Sequence, residues 1–186
     1  MELFKNIRVK IGNAILKNKM AKTKRKMHYT NLNHVKNIGI VWDASKIDEF
    51  TILSRFYQKM HESKIEVRVL GYFSGNNLPN QYTAIRYLSI IKKEELNILY
   101  HPVSSETNTF VGKPFDVLID VNFKKLLPLR YISSLSKARF KVGLFESETR
   151  NTPFDLMMDI KGPVNLEEYL NHVLFYLEMI NSGTVN

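Results

Sequence analysis

The sequence has no cysteine among its 186 residues, which excludes disulfide bonds, thiolate metal sites and cysteine nucleophiles. This composition is compatible with a reducing compartment. No run approaches the roughly 20 consecutive apolar residues that a membrane-spanning helix needs. The basic residues near the N-terminus are not followed by the apolar stretch of a secretory signal, and we therefore expect a cytoplasmic protein.

Sequence motifs that identify common enzyme classes are missing as well. There is no dinucleotide-binding glycine pattern and no P-loop, because Gly112-Lys113-Pro114 lacks the first glycine and the hydroxyl residue. No serine lies in a nucleophile-elbow pattern, and the five histidines are at no metal-ligand spacing. We therefore expect no bound cofactor and no metal site built on histidine.

Acidic residues are scarce at the N-terminal end. The net charge is +9, and residues 1–28 carry +8 of it, with Glu2 as their one acid, so the remainder of the chain is nearly neutral. The basic residues of this segment are Lys5, Arg8, Lys10, Lys17, Lys19, Lys22, Lys24, Arg25 and Lys26. A polybasic segment of this kind is typical of an arm that binds phosphates, although a solvated tail has the same composition.

Residues 3–16 have the periodicity of an amphipathic helix. Its apolar stripe consists of Leu3, Phe4, Ile7, Ile11 and Ile15. Residues 17–28 have no stripe, and repulsion between their charges predicts an arm that is extended or frayed without a partner. Three interpretations are open. The stripe docks on the body or on a partner protein, the helix lies on an anionic membrane, or its basic face contacts nucleic-acid phosphates.

From residue 35 onwards, predicted strands alternate with predicted helices. The strands are 36–43, 64–73, 96–100, 115–121, 139–145 and 154–160, and the helices are 46–62, 81–93, 127–137 and a terminal helix capped by Asn165. Residues 101–114 form a long loop, of a length that often carries function. This order predicts an α/β fold, a Rossmann-like three-layer sandwich with a mostly parallel sheet of about six strands. The helix and arm at 1–34 precede a single domain at 35–186.

Aspartates recur in the predicted strands. The central run 115–120 has an acid second and an acid last, and the run 154–159 repeats this pattern. Asp43, Asp120 and Asp159 would each lie at the carboxyl end of a strand, where α/β sheets bind ligands. Three converging carboxylates would suit Mg²⁺ in a hydrolase, provided that the three strands are neighbours. Strand-end aspartates also commonly cap the turns that follow them, which is the alternative.

A second basic cluster surrounds the predicted helix 127–137. Its members are Lys124, Lys125, Arg130, Lys137, Arg139 and Lys141. The cluster is either a solvated face or a continuation of the phosphate-binding surface. Tyr82, Tyr87 and Tyr131 are candidates for base stacking, although their spacing is more typical of core and rim positions.

Several segments together resemble a known family. They are Ile38-Gly39-Ile40, 110–114, 115–120, 136–143, 154–159 and 176–181. Over nearly the whole chain this series resembles a family of uncharacterised bacterial α/β proteins of about this length, which implies no activity. The segment 115–143 is also similar to the N-terminal half of heptosyltransferase-like glycosyltransferases. That likeness implies an acceptor-type domain without its donor half.

These observations predict a non-catalytic α/β domain whose basic N-terminal arm binds a polyanion, either RNA or a ribosome-associated partner. The second hypothesis is enzymatic. It is a Mg²⁺-dependent hydrolase or nuclease that uses Asp43, Asp120 and Asp159, or a glycosyltransferase-like domain with Asp43 as the base. The third is a peripheral membrane adaptor that is held by the apolar stripe.

Overall fold

A six-stranded parallel sheet lies at the centre of the computed structural model, which describes residues 2–145, 152–160, 162–180 and 183–184. The strands are β1 (His28–Tyr29), β2 (Asn37–Asp43), β3 (Glu66–Phe73), β4 (Leu88–Lys92), β5 (Val117–Val121), β6 (Phe140–Leu144), β7 (Leu156–Met158) and β8 (Gly183–Thr184). The helices are α1 (Glu2–Lys22), α2 (Phe50–Glu62), α3 (Ser105–Gly112), α4 (Leu127–Leu135) and α5 (Leu166–Met179). None of the described helices is long and apolar enough to cross a membrane.

The strand order of the large sheet is β4-β3-β2-β5-β6-β7, and every neighbouring pair is parallel. β1 and β8 form a separate antiparallel pair. The predicted α/β class is confirmed, and the order is that of a Rossmann-like sheet. The chain changes direction across the sheet between β2 and β5, so the ends of these two strands flank the topological switch point.

The core has two parts because the sheet is covered on both faces. On one face, Ile38, Ile40 and Trp42 of β2 belong to the same buried cluster as the inner residues of α2 and α5. On the other face, Val41 and Leu118 pack with residues of α3 and α4. Strands buried on both faces read as continuous apolar runs, which is why β2 and β5 were recognisable in the sequence.

The predictions for residues 81–114 are wrong in detail. A short 3₁₀ turn at Asn80–Tyr82 and strand β4 replace the helix predicted at 81–93, since Leu88 and Ile91 are buried against β3. Of the strand predicted at 96–100, Leu96 makes an isolated β-bridge to Pro102, and the residues after it form a turn. The loop predicted at 101–114 contains α3, which begins where the Ser104 hydroxyl accepts the Thr107 N–H. Short apolar runs fit both helical and strand spacing, and only packing against β3 decided between them.

Helix α1 runs to Lys22, beyond the predicted end at 16, so the extended conformation predicted for 17–28 is wrong for its first part. Leu16 is buried where α1 packs on α4, and this contact offsets the repulsion between lysines. The residues that follow are docked as well. Arg25 donates to the Arg139 carbonyl oxygen at 3.1 Å and forms an ion pair with Asp155.

The buried face of α1 differs from the predicted stripe. Gly12 and Leu16 face the body, whereas the side chains of Phe4, Ile7 and Ile11 are 69%, 45% and 47% exposed. The interpretation that the stripe docks on the body is therefore wrong for these three residues. Whether a partner covers them stays a prediction.

Replacing Gly12 with alanine is expected to destabilise the docking of α1. Alanine improves helix propensity by up to about 1 kcal/mol. However, an added Cβ would lie 2.7 Å from the Leu99 carbonyl oxygen, and His101 Nε2–H donates to Gly12 O at 3.0 Å. We expect a net loss of about 1–2 kcal/mol in chemical denaturation, because this backbone contact must be forced apart. Asn6→Ala, at an exposed position of α1, is the control, and a more stable Gly12→Ala protein would contradict the close approach.

Candidate functional site

The carboxyl ends of β2 and β5 bring two of the predicted aspartates together. Val41 pairs with Asp120 across these strands, so Asp120 and Asp43 project from the same face of the sheet. Both are buried, with exposed fractions of 2% for Asp43 and 6% for Asp120. They lie at the switch point, which is where sheets of this order bind ligands.

Asp43 organises the turn that follows β2. Its Oδ1 accepts the Ser45 N–H at 3.1 Å, and the Ser45 hydroxyl is 2.9 Å from that of Ser74. Lys124 Nζ is 4.0 Å from Asp43 Oδ2 and supplies a cation beside the buried carboxylate. These contacts agree with the capping alternative, and they leave Asp43 poorly placed to act as an exposed base.

Asp120 connects its strand to two helices. Oδ1 accepts the Asn122 N–H at 2.7 Å, and Oδ2 accepts the hydroxyl of Ser133 in α4. The Asp120 carbonyl oxygen accepts the hydroxyl of Tyr169 in α5 at 3.1 Å. Burial, together with the Asp120 charge, raises the pKa of Tyr169 well above its usual value, so this hydroxyl stays a donor.

The third aspartate lies elsewhere. Asp159 is exposed and follows β7, which is separated from β5 by β6. Two strand spacings place the axis of β7 about 10 Å from that of β5. Within the described ranges, no group of three histidine, aspartate or glutamate side chains could hold a metal ion. The sheet order therefore does not assemble the three-aspartate site that the hydrolase hypothesis requires.

Two basic segments that are far apart in the sequence meet beside α4. A cleft of about 350 Å³ lies between α1 and α4, beside the loop that precedes α4. Its lining residues are Asn13, Leu16, Lys17, Met20, Lys125, Arg130 and Ser134. Lys17 belongs to the predicted arm, whereas Lys125 and Arg130 belong to the second basic cluster. The cleft therefore joins the two predicted phosphate-binding segments.

The loop that presents Lys125 is held by its neighbours. The Asn122 side chain accepts the Leu126 N–H at 2.8 Å and donates to the Leu126 carbonyl oxygen at 3.0 Å. Lys125 itself has a φ of 54°, in the left-handed region, which turns the chain sharply before α4. Asn122 is in turn held by Asp120, so the buried aspartate supports the basic loop.

The other predicted anion-binding residues divide into two groups. Six residues of the arm have exposed side chains, and these are Lys5, Arg8, Lys10, Lys22, Lys24 and Lys26. Others are already engaged by the protein: Lys19 Nζ donates to the Tyr131 hydroxyl at 3.3 Å, and Arg25 is paired with Asp155. Lys124 is exposed, apart from its contact with Asp43.

The second basic cluster is not a uniform solvated face. Lys137 is exposed, Arg139 donates to Asp116 Oδ1 at 3.2 Å, and Lys141 is buried. Lys141 Nζ donates to the carbonyl oxygens of Ser133 and Ser134 at the end of α4. Burial lowers the pKa of Lys141 to about 7, Arg25 acts in the same direction, and Asp155 opposes both. The sequence feature that could have indicated the burial of Lys141 is its position within the apolar strand β6.

Fold and site together define an α/β protein with a Rossmann-like strand order, capping aspartates at the switch point and a basic cleft beside them. The chain belongs to DUF6913, a family of unknown function whose model matches residues 8–180. This match supports the expected membership of a family without a known activity. No curated protein and no solved structure matches the chain, and the resemblance to heptosyltransferase-like enzymes finds no support.

Proposed function

We propose that this protein is a non-catalytic binding protein for a polyanion, and that the polyanion is RNA, free or within a ribosomal particle. The observation that carries the proposal is the cleft in which Lys17 of α1 meets Lys125 and Arg130. Lysine and arginine side chains that converge from separate segments fit a chain of phosphates, because successive phosphates need cations at several points along one surface.

The rest of α1 extends this surface. Lys5, Arg8 and Lys10 are exposed on the helix before the cleft, and Lys22 is exposed after it. With a net charge of +9, the protein attracts polyanions at long range and releases their counterions on binding. Asp43 and Asp120 serve this surface as scaffold, because their contacts hold the loops that follow β2 and β5.

The test is a salt series with a single-stranded RNA of about 20 nucleotides. The full chain is compared with a Lys17→Ala/Lys125→Ala double variant. We expect affinity to fall steeply with salt and the double variant to lower the slope by about 1.4, since each phosphate contact to single strands contributes about 0.7.

The matched control is a Lys36→Ala/Lys59→Ala double variant, which removes the same charge from exposed positions outside α1 and the β5–α4 segment. It is expected to change affinity much less than the cleft variant. Equal losses of RNA affinity in both double variants would show unspecific electrostatic attraction and contradict the proposed binding cleft. An affinity that does not depend on salt would refute the proposal as well.

The second candidate is attachment to an anionic membrane, which the exposed Phe4, Ile7 and Ile11 favour. An apolar stripe beside Lys5 and Arg8 is the pattern of a helix that lies in the lipid headgroup region. Sedimentation with phosphatidylserine vesicles, run beside the RNA series, separates the two functions. Ile7→Ser/Ile11→Ser should abolish vesicle binding and leave RNA binding intact if the stripe contacts lipid. If the full chain does not bind vesicles, the membrane function is refuted, and a partner protein is then expected to cover the apolar stripe of α1.

A further inference from the structure

A notch opens at the amino end of the sheet because β4 is shorter than its neighbour. The first paired residues of the two strands are Val69 and Leu88, so the start of β3, from Glu66 to Arg68, extends beyond β4. On the α2 side, the notch is a cavity of about 550 Å³. Its side chains include Tyr57, His61, Lys64, Arg68, Arg86 and Tyr87. On the α3 side a cavity of about 270 Å³ shares Arg68, Arg86 and Tyr87.

Aromatic rings form one wall of the notch. Tyr57 and Tyr87 are stacked, with ring centroids 4.0 Å apart and an angle of 16° between the planes. The Tyr87 hydroxyl is 2.9 Å from that of Ser54, and His61 lies against the other tyrosine at 5.8 Å. A ring pair held in this way offers a planar ligand a stacking surface with little loss of conformational entropy.

Charged side chains supply most of the polar part of the notch, and they are those of Lys64, Glu66, Arg68 and Arg86. Arg86 is exposed and has no hydrogen bond or ion pair to any residue that the structure describes. Arg68 is oriented by a single contact, from Nε to Glu66 Oε1 at 2.8 Å, which leaves its terminal nitrogens as donors. Glu66 also accepts from Lys113 at 2.9 Å, and these two hydrogen bonds lower the pKa of Glu66, so the carboxylate stays charged and keeps Arg68 in place.

We propose that the notch binds a nucleotide, with its base against the Tyr57–Tyr87 pair and its phosphate on Arg86 and Arg68. A stacked aromatic wall beside an unpaired guanidinium matches a ligand that is planar at one end and anionic at the other. The cavity of about 550 Å³ lies within the range of about 300–1,000 Å³ that is usual for small-molecule sites. The nucleotide is either free or one unit of a single-stranded RNA. No residue of the notch belongs to the α1–α4 cleft, so this site does not depend on the proposed function.

The test is a calorimetric titration of the full chain with adenosine 5′-monophosphate, adenosine and inorganic phosphate. We expect the monophosphate to bind more tightly than either of its parts. Arg86→Ala should weaken its binding by roughly tenfold or more, since a hydrogen-bonded charge pair is lost. Arg55→Ala is the matched control, because Arg55 is an exposed arginine of α2 whose ion pair with Glu167 lies outside the notch.

Stacking is tested at Tyr87, with circular dichroism as the check on folding. Tyr87→Phe keeps the ring but not its hydroxyl contact with Ser54 and should keep most of the affinity, whereas Tyr87→Leu should lose it. A six-nucleotide RNA titrated in parallel identifies the source, because the tighter of the two ligands is the one that the notch selects, and Arg86→Ala should weaken its binding. Absence of binding by both the monophosphate and the six-nucleotide RNA, or equal binding of the tighter ligand by Arg86→Ala and the full chain, would overturn the proposal. Neither result would bear on the cleft variants.

Discussion

Raising the pH from 7 to 9 is expected to increase the free energy of unfolding by about 2 kcal/mol, because buried Lys141 loses its charge in the folded protein over this range. In β6 this lysine is almost fully buried, and burial lowers its pKa from 10.5 to about 7. In the unfolded chain it keeps its proton until about pH 10.4. The unfolded state therefore binds more protons between these values, and stability rises with pH.

The matched variants isolate this residue. Lys141→Met removes the titrating group and keeps a side chain of similar length, so its stability should vary much less between pH 7 and pH 9. Lys137→Met, at an exposed position between α4 and β6, should keep the full dependence. Guanidinium denaturation of the three proteins at several pH values supplies the measurement. Equal slopes for the full chain and Lys141→Met would show that this lysine is charged in the folded protein at pH 9.

Replacing Asp116 with alanine is expected to lower the free energy of unfolding by about 3 kcal/mol, because three donors lose their acceptor. Asp116 Oδ2 accepts the backbone N–H groups of Lys36 and Asn37 at 2.9 and 3.2 Å, and Oδ1 accepts from Arg139. These bonds join the beginnings of β2, β5 and β6. Asp116→Asn should lose less, since an amide oxygen can still accept.

Asp48→Ala is the control for this experiment, because Asp48 is exposed in the turn before α2 and should change stability by no more than about 0.5 kcal/mol. Chemical denaturation at neutral pH gives both values. If Asp116→Ala lowers the free energy of unfolding by less than about 1 kcal/mol, water replaces the carboxylate at the amino end of the sheet.

Asp155 has the same role two strands further along the sheet, at the beginning of β7, which explains the repeated sequence pattern. Its Oδ2 accepts the Lys141 N–H at 2.8 Å, and Oδ1 is paired with Arg25. The acid in second position of both runs, 115–120 and 154–159, thus accepts a backbone N–H from a neighbouring strand and binds an arginine. The sequence revealed the repetition, but the role of the pattern depends on which strands are adjacent.

The candidate site was predictable only in part. The type and number of basic residues indicated a phosphate-binding surface, since charge can be counted without a structure. That Lys17 and Lys125 line one cleft, that Arg25 is paired and that Lys141 is buried depend on how α1 lies on α4. Periodicity predicted the apolar residues of α1, but a helix has several faces, and the close approach at Gly12 decided which of them was buried.

The sequence by itself determined the α/β class, most strands and the concentration of charge near the N-terminus, because apolar runs, helical periodicity and composition are local properties of the chain. Only the tertiary structure decided the strand order, and with it the placement of Asp43 and Asp120 on one face at neighbouring strand ends and the separation of Asp159. It also decided that β4 is short enough to leave the notch beside Arg86. Each of these features depends on register and on contacts between distant segments, and local sequence patterns do not specify those contacts.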